Sequence, residues 1–154
     1  MRDWKLPWRG TCRCGQTTIE VTKPPMMASL CHCTGCQKMT SSAFSLTLSI
    51  PADGFAVTSG EPAIGGLHGR TRHYFCPYCM SWIFTRPEGI DFLVNIRASV
   101  LDDHSWFSPF IEVWVNEKLP WVSTPAVYSY GAQPDVSVYK GLIAEYQERG
   151  AGPT

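Results

Sequence analysis

Cysteine constrains this chain more than any other residue type. All seven cysteines fall in three tight groups, Cys12-Arg13-Cys14, Cys31-His32-Cys33-Thr34-Gly35-Cys36 and Cys76-Pro77-Tyr78-Cys79. On an extended strand, residues i and i+2 project to one face, so Cys12 can point with Cys14, and Cys31 with Cys33. The C-x-x-C steps from Cys33 to Cys36 and from Cys76 to Cys79 use a turn instead, which folds two sulfurs around one metal. A closed all-thiolate zinc needs four sulfurs at about 2.3 Å from the metal. Seven sulfurs therefore divide into a closed set of four and an open set of three, and the open set keeps a position for water or substrate.

Other uses of cysteine fit less well. A disulfide framework predicts an even count, a shorter chain and a secretory segment, and close pairs such as Cys12/Cys14 would be strained. The opening Met1-Arg2-Asp3-Trp4-Lys5-Leu6-Pro7-Trp8 has no apolar run of signal-peptide length. No run of about 18 apolar residues is present to span a bilayer, so a reducing cytoplasm is the expected location. A redox role for Cys76-Pro77-Tyr78-Cys79 would place it at the start of a helix in a βαβ unit. Here Met80-Ser81-Trp82-Ile83-Phe84-Thr85 follows and reads as a strand.

A length of 154 residues is one domain by size, burying roughly 70% of its unfolded surface. Thirteen basic residues balance thirteen acidic ones, so no overall field draws in nucleic acid or an anionic membrane, and neither is an expected partner. Frequent proline and glycine between aromatic and β-branched runs predict strands over 17–22, 28–33, 43–50, 55–58, 70–75, 81–85, 92–96 and 111–115. Residues 34–40 read as a short helical turn. A C-terminal helix over 136–148 is predicted because Tyr139, Leu142, Ile143 and Tyr146 fall at i, i+3, i+4 and i+7. The expected class is all-β, with sheets meeting at metal knuckles.

Three ordered motifs, Gly10-Thr11-Cys12-Arg13-Cys14-Gly15, Cys31-His32-Cys33-Thr34-Gly35-Cys36-Gln37-Lys38 and Phe75-Cys76-Pro77-Tyr78-Cys79-Met80-Ser81, resemble those of the glutathione-dependent formaldehyde-activating enzymes and their centromere-protein-V-like relatives. The likeness extends through Trp106-Phe107-Ser108-Pro109 to Leu119-Pro120-Trp121, a core of about 10–121 within 1–154, with 122–154 as a C-terminal extension. The resemblance implies a β-tent fold and two zinc ions per chain. By the same resemblance, Cys12, Cys14, Cys76 and Cys79 hold the structural zinc, and Cys31, Cys33 and Cys36 the catalytic one. It implies carbon-sulfur lyase chemistry on the adduct of glutathione and formaldehyde. Two positions depart from the family pattern: Met80 stands where a glycine commonly follows the last cysteine, and Ser41-Ser42-Ala43 replaces a glycine-containing turn. The pocket beside residues 37–44 is expected to differ accordingly.

The chemistry of an open three-thiolate zinc points the same way. Its formal charge of about −1 makes it a poor generator of hydroxide and a good host for a thiolate. A coordinating thiol loses its proton and stays nucleophilic towards an aldehyde carbon. Nothing in the spacing selects glutathione, and no catalytic acid or base is assigned beyond the second zinc site. Asp102, Asp103 and Glu112 are candidates by residue type alone. The competing class is a non-catalytic zinc module that binds or carries a thiol such as glutathione, or a protein-interaction domain.

The remaining polar and aromatic residues have plainer readings. His32 lies between two expected ligands on the opposite face of a strand, and predicts packing or hydrogen bonding. His68, His73 and His104 are poor fourth ligands. Arg13, Lys38, Arg70, Arg72 and Arg97 have the reach to grip the carboxylates of a peptide thiol, but each alone reads as solvated surface charge. Trp4, Trp8, Trp82, Trp106, Trp114 and Trp121 read as core and interface residues rather than a stacking platform.

Overall fold

The computed structural model describes residues 2–67 and 69–154. Among these residues, eleven strands form two sheets: β1 Trp8–Thr11, β2 Thr18–Val21, β3 Met27–Cys31, β4 Ser45–Pro51, β5 Phe55–Ser59, β6 Ala63–Gly65, β7 Arg72–Phe75, β8 Trp82–Arg86, β9 Leu93–Arg97, β10 Ile111–Val113 and β11 Tyr128–Ser129. Helices α1 (Thr34–Thr40) and α2 (Val136–Arg149) complete it. The protein is mainly β, as its sequence predicts. The small sheet runs β1-β2-β5 and the large one β11-β10-β3-β4-β9-β8-β7-β6, with β10 parallel to both its neighbours and the other pairs antiparallel.

The central strands alternate as a strand buried on one face must. Ala28 and Leu30 of β3, Leu48 and Ile50 of β4, and Val94 and Ile96 of β9 pack into the core with Ile19 and Val21 of β2. At the other end of the chain, Leu142 and Tyr146 of α2 join that core, and Tyr146 packs on Trp4 with ring centroids 5.8 Å apart. Asp135 caps α2, its carboxylate accepting from the Ser137 N–H at 2.9 Å. The alternate residues of the central strands, Ser29, Ser45, Thr47, Ser49, Asn95 and Arg97, line a cavity rather than open solvent.

Several expectations shift in detail. β1, β6 and β11 have only four, three and two residues, too short for a periodic signal. The strand expected over 28–33 ends at Cys31, and the one over 111–115 ends at Val113 because Trp114 takes φ 59°. Cys12 and Cys14 lie past the end of β1, in a turn closed by Gly15 N–H to Cys12 O at 3.0 Å, so a turn and not a strand brings them together. Both departures from the family pattern sit on left-handed backbone: Met80 has φ 59° and Ser41 has φ 51°. Glycine adopts that region without a Cβ penalty, which is why a glycine suits either position.

Candidate functional site

Two cysteine groups could hold metal ions. The sulfurs of Cys12, Cys14, Cys76 and Cys79 all lie within 4.8 Å of one another, as do those of Cys31, Cys33 and Cys36.

The first group joins the two sheets. Cys12 and Cys14 lead from β1 into β2 of the small sheet, and Cys76 and Cys79 form the turn from β7 to β8 of the large one. Sulfur separations are 3.5 Å for Cys12 to Cys14 and 3.7 Å for Cys14 to Cys76. Four ligands about 2.3 Å from a tetrahedral metal stand about 3.8 Å apart, so the spacing suits a shared ion, and it is far beyond an S–S bond of about 2.05 Å. The turns also supply donors to the sulfurs. Thr17 N–H reaches the Cys12 sulfur at 3.3 Å, and the Ser81 hydroxyl reaches that of Cys79 at 3.2 Å. The Cys79 backbone N–H draws the Cys76 thiol below its ordinary range.

The second group hangs from the end of β3 and the start of α1. Cys33 is the N-cap of α1, and its sulfur accepts from the Cys36 N–H at 3.3 Å. Thr34 is tied across the fold to the Glu117 carboxylate by its N–H at 3.1 Å and its hydroxyl at 3.0 Å. Gln37 donates to the carbonyls of His32 and Glu117. The Cys36 thiol is drawn down to about 6 by the neighbouring Cys31 thiol, with burial opposing and the Ser45 hydroxyl, Cys33 and the charge of Arg97 drawing it down further. Cys31 is pushed up by Cys36 and by burial. Ser45 Oγ lies 3.2 Å from the Cys36 sulfur.

Beside Cys31 and Cys36 opens a cavity of about 220 Å³, walled by hydroxyl and amide side chains of β3, β4, β8 and β9, by the apolar Met27, Trp82, Ile111 and Val113, and by Gln133 and Tyr139. A group of three sulfurs, two of which line a cavity, can hold an ion and leave one side accessible to a small ligand.

Of the residues read as plain, His32 behaves as expected. It is wholly buried and donates Nε2–H to Glu112 Oε2 at 2.7 Å. Glu112 also accepts from Thr124 and Ser129, each at 2.7 Å. Burial pushes its pKa up, but the hydroxyls of Ser129 and Thr124, with His32 and Lys118, hold it down at about 2. That network leaves Glu112 no free proton-carrying role. His73 Nδ1 meets the Thr85 hydroxyl at 2.9 Å and His104 Nδ1 the Leu101 carbonyl at 2.8 Å; His68 lies outside the described residues. Asp103 accepts from Ser105.

Two readings change. Arg13, Lys38, Arg70 and Arg72 are exposed, but Arg97 is 7% exposed and stacks its guanidinium 4.1 Å from the Trp82 ring centroid. Trp121 is 76% exposed beside α1, in a shallow groove with Gln37 and Lys38, so it is not a core residue. Sequence reasoning also passed over Ser45. Its one available signal is the hydroxyl-apolar alternation of Ser45-Leu46-Thr47-Leu48-Ser49, which ordinarily marks a solvated strand face.

A family model described as glutathione-dependent formaldehyde-activating enzyme matches residues 7–117. No curated protein matches the chain. Among solved structures, the chain is similar to a crystal structure of a Rhodobacter sphaeroides protein, at 20% identity over 61% of this chain and 87% of that one, with a TM-score of 0.51. Among the described residues, no helix is long and apolar enough to cross a membrane.

Proposed function

The chain belongs to the family of glutathione-dependent formaldehyde-activating enzymes, and on that premise we propose that it is a zinc-dependent carbon-sulfur lyase of the cytoplasm, working as one unit over 1–154. Its reaction joins a small thiol, glutathione, to formaldehyde. The sulfur bonds to the aldehyde carbon, the thiol proton ends on the oxygen, and the product is the S-hydroxymethyl adduct; the reverse reaction breaks the same bond. The observation that carries this reading is the unequal pair of cysteine groups, four sulfurs gathered between turns and three sulfurs of which Cys31 and Cys36 line a cavity.

The donor sets suit zinc. Cys12, Cys14, Cys76 and Cys79 would hold a closed structural ion, and Cys31, Cys33 and Cys36 a second ion with one position free. When bound there, zinc would lower the pKa of an incoming thiol and keep its sulfur electron-rich. The rest falls to the chain. The Cys36 N–H and the Ser45 hydroxyl orient the sulfurs of Cys33 and Cys36, as hydrogen bonds around a metal site orient its ligands. The Thr34–Glu117 contacts pin the start of α1, and the cavity walls limit how much water shares the site with the ligand.

Elemental analysis of gently purified protein is expected to approach two zincs per chain, with the second lost first to a chelator. Glutathione and formaldehyde should exchange with their adduct faster in the presence of substoichiometric protein. One zinc with three free thiols would overturn the open-site reading. Stoichiometric glutathione binding without acceleration would favour the thiol carrier instead.

A further inference from the structure

Arg97 is a buried cation with no carboxylate partner among the described residues. Only 7% of it is exposed, its Nε has no hydrogen-bond partner, and its Nη2 makes one long bond of 3.4 Å to the Asn95 carbonyl. Among the described residues no carboxylate lies within ion-pairing distance of it. Burial draws the guanidinium down to about 10, with Cys36 and Cys31 pulling it back up, so it remains charged at neutral pH. Burying a guanidinium with a donor left unmet is costly even where nearby sulfurs offset part of its charge. The fold nonetheless fixes it, at the end of β9 and flat against Trp82.

Its surroundings indicate what it waits for. Arg97 lines the same cavity as Cys31 and Cys36, together with Asn95, Gln133 and Tyr139. Gln133 and Tyr139, which hydrogen-bond to each other, lie in the segment after residue 117, beyond the part that the family model matches. The cavity, at about 220 Å³, is smaller than the roughly 300–1,000 Å³ of pockets that enclose a drug-sized ligand. It admits one end of a ligand, and that end meets a planar double donor.

We propose that Arg97 binds the carboxylate of a thiol ligand whose sulfur lies at the Cys31/Cys33/Cys36 group, so that the substrates are mercapto-carboxylates, with the thiol and the acid a few atoms apart. A guanidinium fork pairs with a carboxylate through two parallel N–H···O bonds, which would also satisfy the orphaned Nε. The C-terminal extension adds Gln133 and Tyr139 to the cavity wall and would limit the length of the ligand's buried end. This proposal rests on the thiol-binding reading of the three-cysteine group.

Calorimetry on the zinc-loaded full chain tests it, with 3-mercaptopropionate and 2-mercaptoethanol as probes. The wild type is expected to prefer the acid by about tenfold or more. Arg97→Met should abolish that preference while leaving 2-mercaptoethanol within about threefold, and Arg97→Lys should retain part of it. Zinc content and thermal melts identify a variant that has lost its fold. Should Arg97→Met be such a variant, the wild-type preference and its reduction in Arg97→Lys decide. Equal wild-type affinity for the two thiols would overturn the role of Arg97 while leaving the thiol reading intact. So would an Arg97→Met variant that weakens both alike, because Arg97 would then act only as counter-charge to the cysteines. Failure of both thiols to bind the wild type would remove the proposed function, and this proposal with it.

Discussion

Met80 shows how one residue records a compromise at a metal knuckle. Its φ of 59° closes the turn that places Cys79, with its own N–H donating to the Cys76 carbonyl at 2.9 Å. A side chain in that region costs roughly 1–2 kcal/mol, against about 0.5–1 kcal/mol for the extra freedom glycine has in the unfolded chain. At 62% exposure, Met80 recovers little by burial. Met80→Gly is therefore expected to stabilise the protein by about 0.5–1 kcal/mol, raising the melting temperature by about 2–4 °C. A melt at or below the wild-type value would mean that Met80 contributes packing along the wall of the adjoining cavity, where it lies beside Arg13 and Trp82. Arg97 teaches the complementary lesson. A charged residue that reads as surface from its type alone is buried because Trp82 supplies a ring face for its guanidinium.

At the scale of elements, Glu112 fastens β10 to its surroundings. The carboxylate binds His32 beyond the end of β3, Ser129 of β11, and Thr124 and Lys118 of the connecting loop. Its folded pKa of about 2 lies below the ordinary 4.5, so the ionised form is the one that folding favours. The sign follows: this contribution is complete above about pH 4.5 and is lost as pH falls towards 2. Glu112→Gln is expected to cost about 2 kcal/mol at neutral pH, since hydrogen bonds to a charged group are weakened and Lys118 loses its partner. The gap to wild type should narrow steadily from pH 5 to pH 3. Urea melts across that range check it, and a gap independent of pH would show that shape rather than charge holds the network. A lone glutamate in Ile111-Glu112-Val113 signals only that one strand position is polar; its four partners come from segments the chain order keeps apart.

For the whole molecule, the two cysteine groups are expected to differ in what they support. Cys12 and Cys14 lie more than sixty positions from Cys76 and Cys79, and their group bridges the small and large sheets. Closing a loop of that length stabilises the fold by removing chain entropy from the unfolded state. The Cys31/Cys33/Cys36 group closes only a local step into α1. Cys76→Ser should accordingly lower the melting temperature by about 10 °C or more, while Cys33→Ser should keep most of the stability and lose thiol binding, the former figure reflecting loss of several kcal/mol in a domain of this size. Parallel thermal melts and glutathione titrations separate the two. Equal unfolding by both substitutions would mean that the division between structural and functional groups is wrong.

The mainly β class, the positions of most strands to within about two residues, the C-terminal helix and the grouping of cysteines were legible in the sequence because each depends on local pattern: alternation, turn residues and close ligand spacing. The two-residue strand β11 and the turn that unites Cys12 with Cys14 were not, since short elements carry no period of their own and form only where neighbours supply hydrogen bonds. The polar face of β4 and β9 was legible as alternation, but alternation cannot distinguish solvent from a walled cavity. That distinction was made by the C-terminal segment, which adds Gln133 and Tyr139 to the wall of the cavity that Arg97 also lines. Ligand spacing is a property of neighbours along the chain; the environment of a buried charge depends on residues brought close only by folding.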